Sequence, residues 1–203
     1  SWFLARLPAE TGTFLALTGE RLGAADAVSL GLATHRVGTA RLPELISALC
    51  GSVSVDALLG AFAEPVGQST LAARLPAVGR LFEGDTVEDI LAALDAEDAT
   101  AGSPDAAFAR AAAASIRSKS PTSLKIALSL LRRGRDLEFD ECMRMEYRIV
   151  SRLVMGHDFY EGIRALIVDK DRTPRWRPSS LAEVGAAEVA AHFAPLAVEL
   201  DLP

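Results

Sequence analysis

Cysteine is almost missing. The 203 residues hold two, Cys50 and Cys142, far apart and without CxxC spacing. That usage excludes a disulfide framework and reads as reduced thiols of a cytoplasmic protein, each expected to pack on an apolar helical face. The three histidines, His35, His157 and His192, share no metal-ligand spacing with them, so no metal is expected. No Lys/Arg block offsets the formal net charge of -6, which argues against a nucleic-acid or anionic-membrane partner. No apolar run approaches the ~20 residues of a membrane-spanning helix. The opening Ser-Trp-Phe-Leu-Ala-Arg-Leu-Pro lacks the apolar core and cleavage site of a signal peptide. A glycine-rich phosphate loop is absent, and so is any internal repeat. What remains is ordinary globular composition, 50% hydrophobic and 24% charged, with a length suited to one domain or one and a half.

Helical punctuation dominates that composition. Gly12–Thr18 stops at Gly19, and Ala24–Leu30 is closed by Gly31. Leu32–Val37 is the most strand-like window, with β-branched residues in an alternating stretch. Helical periodicity resumes over Leu42–Cys50 and Val55–Phe62. Between Ala63 and Gly79, Pro65, Gly67, Pro76 and Gly79 predict a flexible connection with one short helical turn. Thr86 with Asp89 forms a capping pair ahead of Ile90, Leu91 and Leu94. Asp105–Arg117 is an Ala-rich helix. Ser120 caps the next, Pro121 takes its first position, and Gly134 ends it. Leu137–Met155 and Asp158–Asp169 are two further helices, Thr173–Pro178 a rigid extended loop, and Ala186–Phe193 a last short helix. Such a pattern fits a helical bundle, and equally one half of an α/β fold whose sheet lies elsewhere.

Three segments bear on that choice. Leu15-Ala16-Leu17-Thr18-Gly19-Glu20-Arg21-Leu22 continues through Ala25-Asp26-Ala27 and Gly31-Leu32-Ala33-Thr34-His35. Ser118-Lys119-Ser120-Pro121-Thr122-Ser123-Leu124-Lys125 follows. The third is Met145-Glu146-Tyr147-Arg148, then Gly156–Ala165, Asp169-Lys170-Asp171, Pro174, Trp176 and Pro178. Together they resemble the crotonase superfamily, and within it the 3-hydroxyisobutyryl-CoA hydrolase branch, from Ser1 to about Phe193. The resemblance implies a C-terminal portion, in keeping with a chain that opens on Ser1 rather than Met. The ββα core, an oxyanion hole of backbone N–H groups and the catalytic Glu and Asp are then expected upstream of Ser1. The expected fold class is mainly α, helices plus about one strand. Residues 1–63 are read as the end of the core, 64–104 as a connecting segment, and 105–203 as a helical region covering an acyl-CoA pocket.

The ionisable residues agree with that placement, since no catalytic residue is assigned in this chain. His35 reads as a structural or surface histidine, His157 as a capping residue and His192 as peripheral. Asp158 and Glu161, one helical turn apart, read as a capping box rather than an acid/base pair. Ser120 is accounted for by N-capping, with no base or oxyanion context to make it a nucleophile. Lys170 is the one binding residue singled out: the resemblance implies that a lysine near this position approaches the nucleotide end of CoA. The opposing reading pairs it with Asp169 and Asp171 in a surface network.

The function so implied is hydrolysis of 3-hydroxyisobutyryl-CoA or a similar β-hydroxyacyl-CoA in valine catabolism. Coenzyme A enters as part of the substrate, and no separate cofactor is implied. A hydratase or isomerase of the same superfamily is the nearest alternative, because a scaffold does not dictate its reaction. A non-catalytic helical interaction module is an alternative of another class. Two further expectations complete the reading. Trp176, between Pro174 and Pro178, should be substantially buried and pin the C-terminal segment. Phe14, Leu15, Leu17, Val28 and Leu30 should face the absent sheet, leaving apolar surface for the protein's own N-terminal half or a second copy.

Overall fold

The computed structural model describes residues 1–202, and every regular element among them is helical. Two compact units are distinguished: Arg21–Pro76, and Ser1–Glu20 with the chain from Ala77 on.

In the larger unit α1 (Thr11–Thr18) has no charged residue and is mostly buried, with only Leu15 and Ala16 half-exposed. Gly12 is required there, because a Cβ would lie 1.9 Å from the Leu4 carbonyl oxygen. Phe14 meets Phe82 edge-on at 5.4 Å and Phe108 at 5.5 Å. Around this aromatic centre pack α5 (Leu75–Leu81), α6 (Val87–Ala99), α7 (Ala106–Arg117) and α8 (Pro121–Gly134). They supply Leu81, Ile90, Leu94 and Ile116, each nearly inaccessible to solvent. Complete burial of such side chains contributes about 1.5–3 kcal/mol apiece. A second cluster joins Ile126 of α8 to Cys142, Met145 and Ile149 of α9 (Phe139–Leu153) and to Phe193 of α11 (Ala186–Phe193). Between them in sequence lies α10 (His157–Ile163), which runs into a π-helical turn, Arg164–Val168.

The smaller unit holds α2 (Ala24–Ser29), α3 (Leu42–Leu49) and α4 (Val55–Phe62). Its buried apolar side chains are few: Leu30, Leu45, Phe62 and Leu71. A polar staple supplements them. The buried Asp26 carboxylate accepts from Ser69 Oγ at 2.7 Å and from the Leu71 N–H at 3.0 Å. The Leu71 N–H first, and then the Ser69 hydroxyl, hold Asp26 below the usual carboxylate range.

Several helix boundaries match the sequence reading. Thr86 caps α6 with Asp89 in a reciprocal box, and Ser120 caps α8 with Pro121 at its first position. Four expectations are corrected. Leu32–Val37 is not a strand: the Leu32 and Ala33 N–H groups turn back to the Ala27 carbonyl, the Glu64 N–H donates to the Arg36 carbonyl, and no ladder extends from that single contact. The connection to Gly79 gives way at Leu75 to α5, which continues past Gly79 to Leu81; Pro76 lies in its first turn, where its missing N–H costs nothing. Cys50 is exposed at the C-terminal end of α3, whereas Cys142 is fully buried as expected. Phe14 and Leu17 are interior rather than left facing an absent sheet, with Phe82 and Phe108 packed on Phe14; Leu30 is buried as well, and Leu15 and Val28 are half-buried. The exposed apolar side chains are others: Ile46, Val53 and Val55 in the smaller unit, and Met155, Leu166, Ile167 and Val168 in the larger.

Candidate functional site

The segments that carry the family signature meet where α8, α10 and the loop 171–178 come together. Ser120 is the pivot. Its Oγ accepts the Ser123 N–H at 3.2 Å, completing the N-cap, and donates to Asp158 Oδ2 at 2.6 Å. The other oxygen of Asp158 accepts the Arg177 N–H at 2.8 Å, with His157 Nδ1 at 3.0 Å. One turn along α10, Glu161 Oε1 accepts the Arg175 N–H at 2.7 Å. Both Glu161 oxygens are also held by Arg164, at 2.7 and 2.9 Å.

Asp158 and Glu161 therefore do not form a capping box. Each gives one oxygen to a backbone N–H of the loop, and so straps residues 175–177 onto α10. Sequence spacing missed this because the donors lie 14 and 19 residues downstream. Trp176 sits between these two latches. Its indole N–H donates to the Ser118 carbonyl at 3.0 Å, and its ring lies over Gly162, where a Cβ would stand 3.5 Å away. It is half-buried rather than deeply buried.

Arg164 is the centre of charge. Besides Glu161 it holds Asp169 and Asp171, each at 2.7 Å, and it reaches the Thr173 carbonyl at 3.3 Å. The Arg164 guanidinium first, with the Arg175 N–H second, drives the Glu161 carboxyl down to about 2. The same guanidinium lowers Asp171, and the three carboxylates together raise Arg164. Carboxylates so stabilised as anions are poor proton acceptors near neutrality, which suits holding rather than acid/base chemistry. The Ser120, Asp158 and His157 side chains are adjacent, but the carboxylate stands between hydroxyl and imidazole. The imidazole is therefore not hydrogen-bonded to the hydroxyl, and the carboxylate that is bonded to it also holds the Arg177 N–H, a structural arrangement rather than an activated Ser–His pair.

Lys170 follows directly. Arg164 takes the flanking acids Asp169 and Asp171, so they do not pair with Lys170. Lys170 adopts a left-handed φ of 57°, is exposed, and makes no hydrogen bond or ion pair among the described residues. Its ammonium is uncommitted among the described residues. Beside the strap lies a cleft of about 390 Å³ walled by Lys119, Leu153, Phe159, Leu166, Trp176 and Arg177. Thr122 also borders it, and its buried hydroxyl has no hydrogen-bond partner. Of the other histidines, His35 is exposed beside Thr34, and His192 is within 3.0 Å of the Glu188 carbonyl on α11. No group of three or more His, Cys, Asp or Glu side chains able to hold a metal ion occurs among the described residues. No helix among them is long and apolar enough to cross a membrane.

Comparison with known proteins agrees with this arrangement of motifs. The family model described as enoyl-CoA hydratase/isomerase matches residues 1–193. The mitochondrial 3-hydroxyisobutyryl-CoA hydrolase of Gallus gallus is 36% identical over 96% of this chain and 51% of its own length. Small ribosomal subunit protein mS47 of Arabidopsis thaliana is 39% identical over 99% of this chain and 51% of its own length. Among solved structures, a carnitinyl-CoA dehydratase from Mycobacterium thermoresistibile superposes with a TM-score of 0.87 at 39% identity. It covers 98% of this chain and 56% of the solved one. The chain thus spans about half the length of the relatives it matches.

Proposed function

The chain belongs to the enoyl-CoA hydratase/isomerase family, and from that premise we propose that it is the C-terminal portion of an acyl-CoA thioester hydrolase. Its substrate is 3-hydroxyisobutyryl-CoA or a similar β-hydroxyacyl-CoA, the class named by several of its relatives. The oxyanion hole and the reacting carboxylates lie on the half of the protein upstream of this chain. The segment in hand walls the acyl and pantetheine path. Lys170 reaches the nucleotide end of coenzyme A, a multiply charged anion that an uncommitted ammonium complements.

The observation that carries the lysine assignment is the division of labour beside it. Arg164 consumes Asp169 and Asp171, so Lys170 keeps its charge for something outside the described chain. Steady-state kinetics on the full-length protein test this. Lys170→Ala is expected to raise KM for the CoA thioester about tenfold with kcat nearly unchanged, the loss of a charge-assisted contact. The same variant should leave KM for the matching pantetheine thioester, which lacks the nucleotide, unaltered. Equal effects on both thioesters would refute the assignment. The 203-residue chain alone is expected to turn over neither thioester, because removing even one oxyanion donor costs ~10²–10³ in rate.

Two other readings stay open to the same assay. Hydration of an enoyl-CoA without thioester cleavage would identify a hydratase. No turnover by the full-length protein, with stable incorporation into a larger assembly, would identify a non-catalytic module. The relative named as a ribosomal subunit protein lends support to that last reading.

A further inference from the structure

Away from the signature segments, α9 presents Arg144 and Arg148 on the face that also carries Met145, and the last turn of α8 brings Arg133 alongside. With Phe193 as part of the floor, they line a cleft of about 500 Å³. Several arginines of this acidic chain hold carboxylates, among them Arg80, Arg110, Arg117, Arg132, Arg135 and Arg164. In the cleft, two of the three do not. Arg144 is half-buried yet has no hydrogen bond or ion pair among the described residues. Arg133 stacks on the Phe193 ring at 4.1 Å and meets no acid. Arg148 alone has an anionic partner, Glu199, whose two oxygens both lie 2.9 Å from its Nε. The one acid lining the cleft, Glu141, is turned to the start of α9, where it accepts the Glu138 N–H at 3.4 Å.

A half-buried guanidinium without an acceptor, in a chain with a surplus of acids, is a donor awaiting a ligand. The Glu199 carboxylate on Arg148 is an internal example of the group that cleft accepts. One carboxylate leaves Arg133 and Arg144 unmatched, whereas a phosphate ester carries about two charges and three terminal oxygens for planar forks to grip. The apolar floor of Met145 and Phe193 calls for an organic portion beside the phosphate.

We propose that the Arg133–Arg144–Arg148 cleft binds an organic phosphate, with Glu199 as its intramolecular competitor. The inference does not rest on the acyl-CoA reading. Calorimetric titration of the full chain with phenyl phosphate, inorganic phosphate and benzoate tests it. Phenyl phosphate is expected to bind at one site and more tightly than either of the others. Arg144→Ala should weaken it about tenfold, and Glu199→Gln, freeing Arg148, should tighten it about two- to five-fold. Circular dichroism of both variants reports that they are folded, and the opposite signs separate ligand binding from loss of structure. Absence of saturable binding would overturn the proposal. So would equal affinities for benzoate and phenyl phosphate, or a Glu199→Gln variant that binds no more tightly than the parent.

Discussion

Around Phe14 and Phe82 the side chains are apolar and the contacts are ring on ring. Between α10 and residues 175–177 the anchors are carboxylates, and they grip backbone N–H groups rather than side chains. The first region is held by removing surface from water, a force without direction that tolerates changes of pH. The second is held by directed bonds to ionised groups, so its order depends on their protonation and on single donors. A loop without regular structure is thereby given a definite path, and Trp176 and Lys170 receive definite positions beside α10.

Substitutions at the two regions sharpen the contrast. Phe82→Ala removes a fully buried ring at the aromatic centre and should destabilise the chain by about 3–5 kcal/mol in chemical denaturation. Trp176→Ala deletes a half-buried ring and one indole hydrogen bond. It should cost about 1–2 kcal/mol, and a melting temperature equal to that of the parent would show that the loop is not anchored there.

Acid separates the regions without mutation. Glu161 falls from an ordinary 4.5 to about 2 in the folded chain. Its contribution is therefore fully present above about 4.5 and is lost as pH drops toward 2. Protection of the Arg175 amide from hydrogen exchange, taken relative to the intrinsic rate at each pH, should hold down to about pH 4.5 and fall below it. In Glu161→Gln that transition should vanish and the amide should be less protected at neutral pH. Amides around Phe82 should show no such step.

The smallest effect is expected at Gly162. A Cβ there would make ordinary contact with the Trp176 ring at 3.5 Å, and alanine favours a helix interior over glycine by up to about 1 kcal/mol. Gly162→Ala should leave stability unchanged or slightly raised. A strong loss would mean that Trp176 lies closer to α10 than this geometry allows.

Helix ends were legible because caps are local. Thr86 with Asp89, and Ser120 with Pro121, announce a helix start within four residues, and the chain obeys. The family was legible for a related reason: its motifs are contiguous words such as Gly156–Ala165. The Leu32–Val37 window was misread because alternation states only that a strand is possible, and a strand exists through a partner elsewhere. Pro76 was misread as a breaker because its effect depends on whether a helix is starting or already under way. The site was half legible. Lys170 could be singled out, but its freedom could not, since that depends on Arg164 taking both neighbouring acids.

By itself, then, the sequence determined the helical content, most helix starts and the family, all of which are written in residues near one another along the chain. Tertiary structure alone decided that Asp158 and Glu161 clamp a loop instead of capping a helix. It alone left Arg144 without an acid and put Phe14 inside. The physical reason is common to all three. Hydrogen bonds, ion pairs and burial are relations between groups far apart in sequence, and each group has several possible partners until folding selects one.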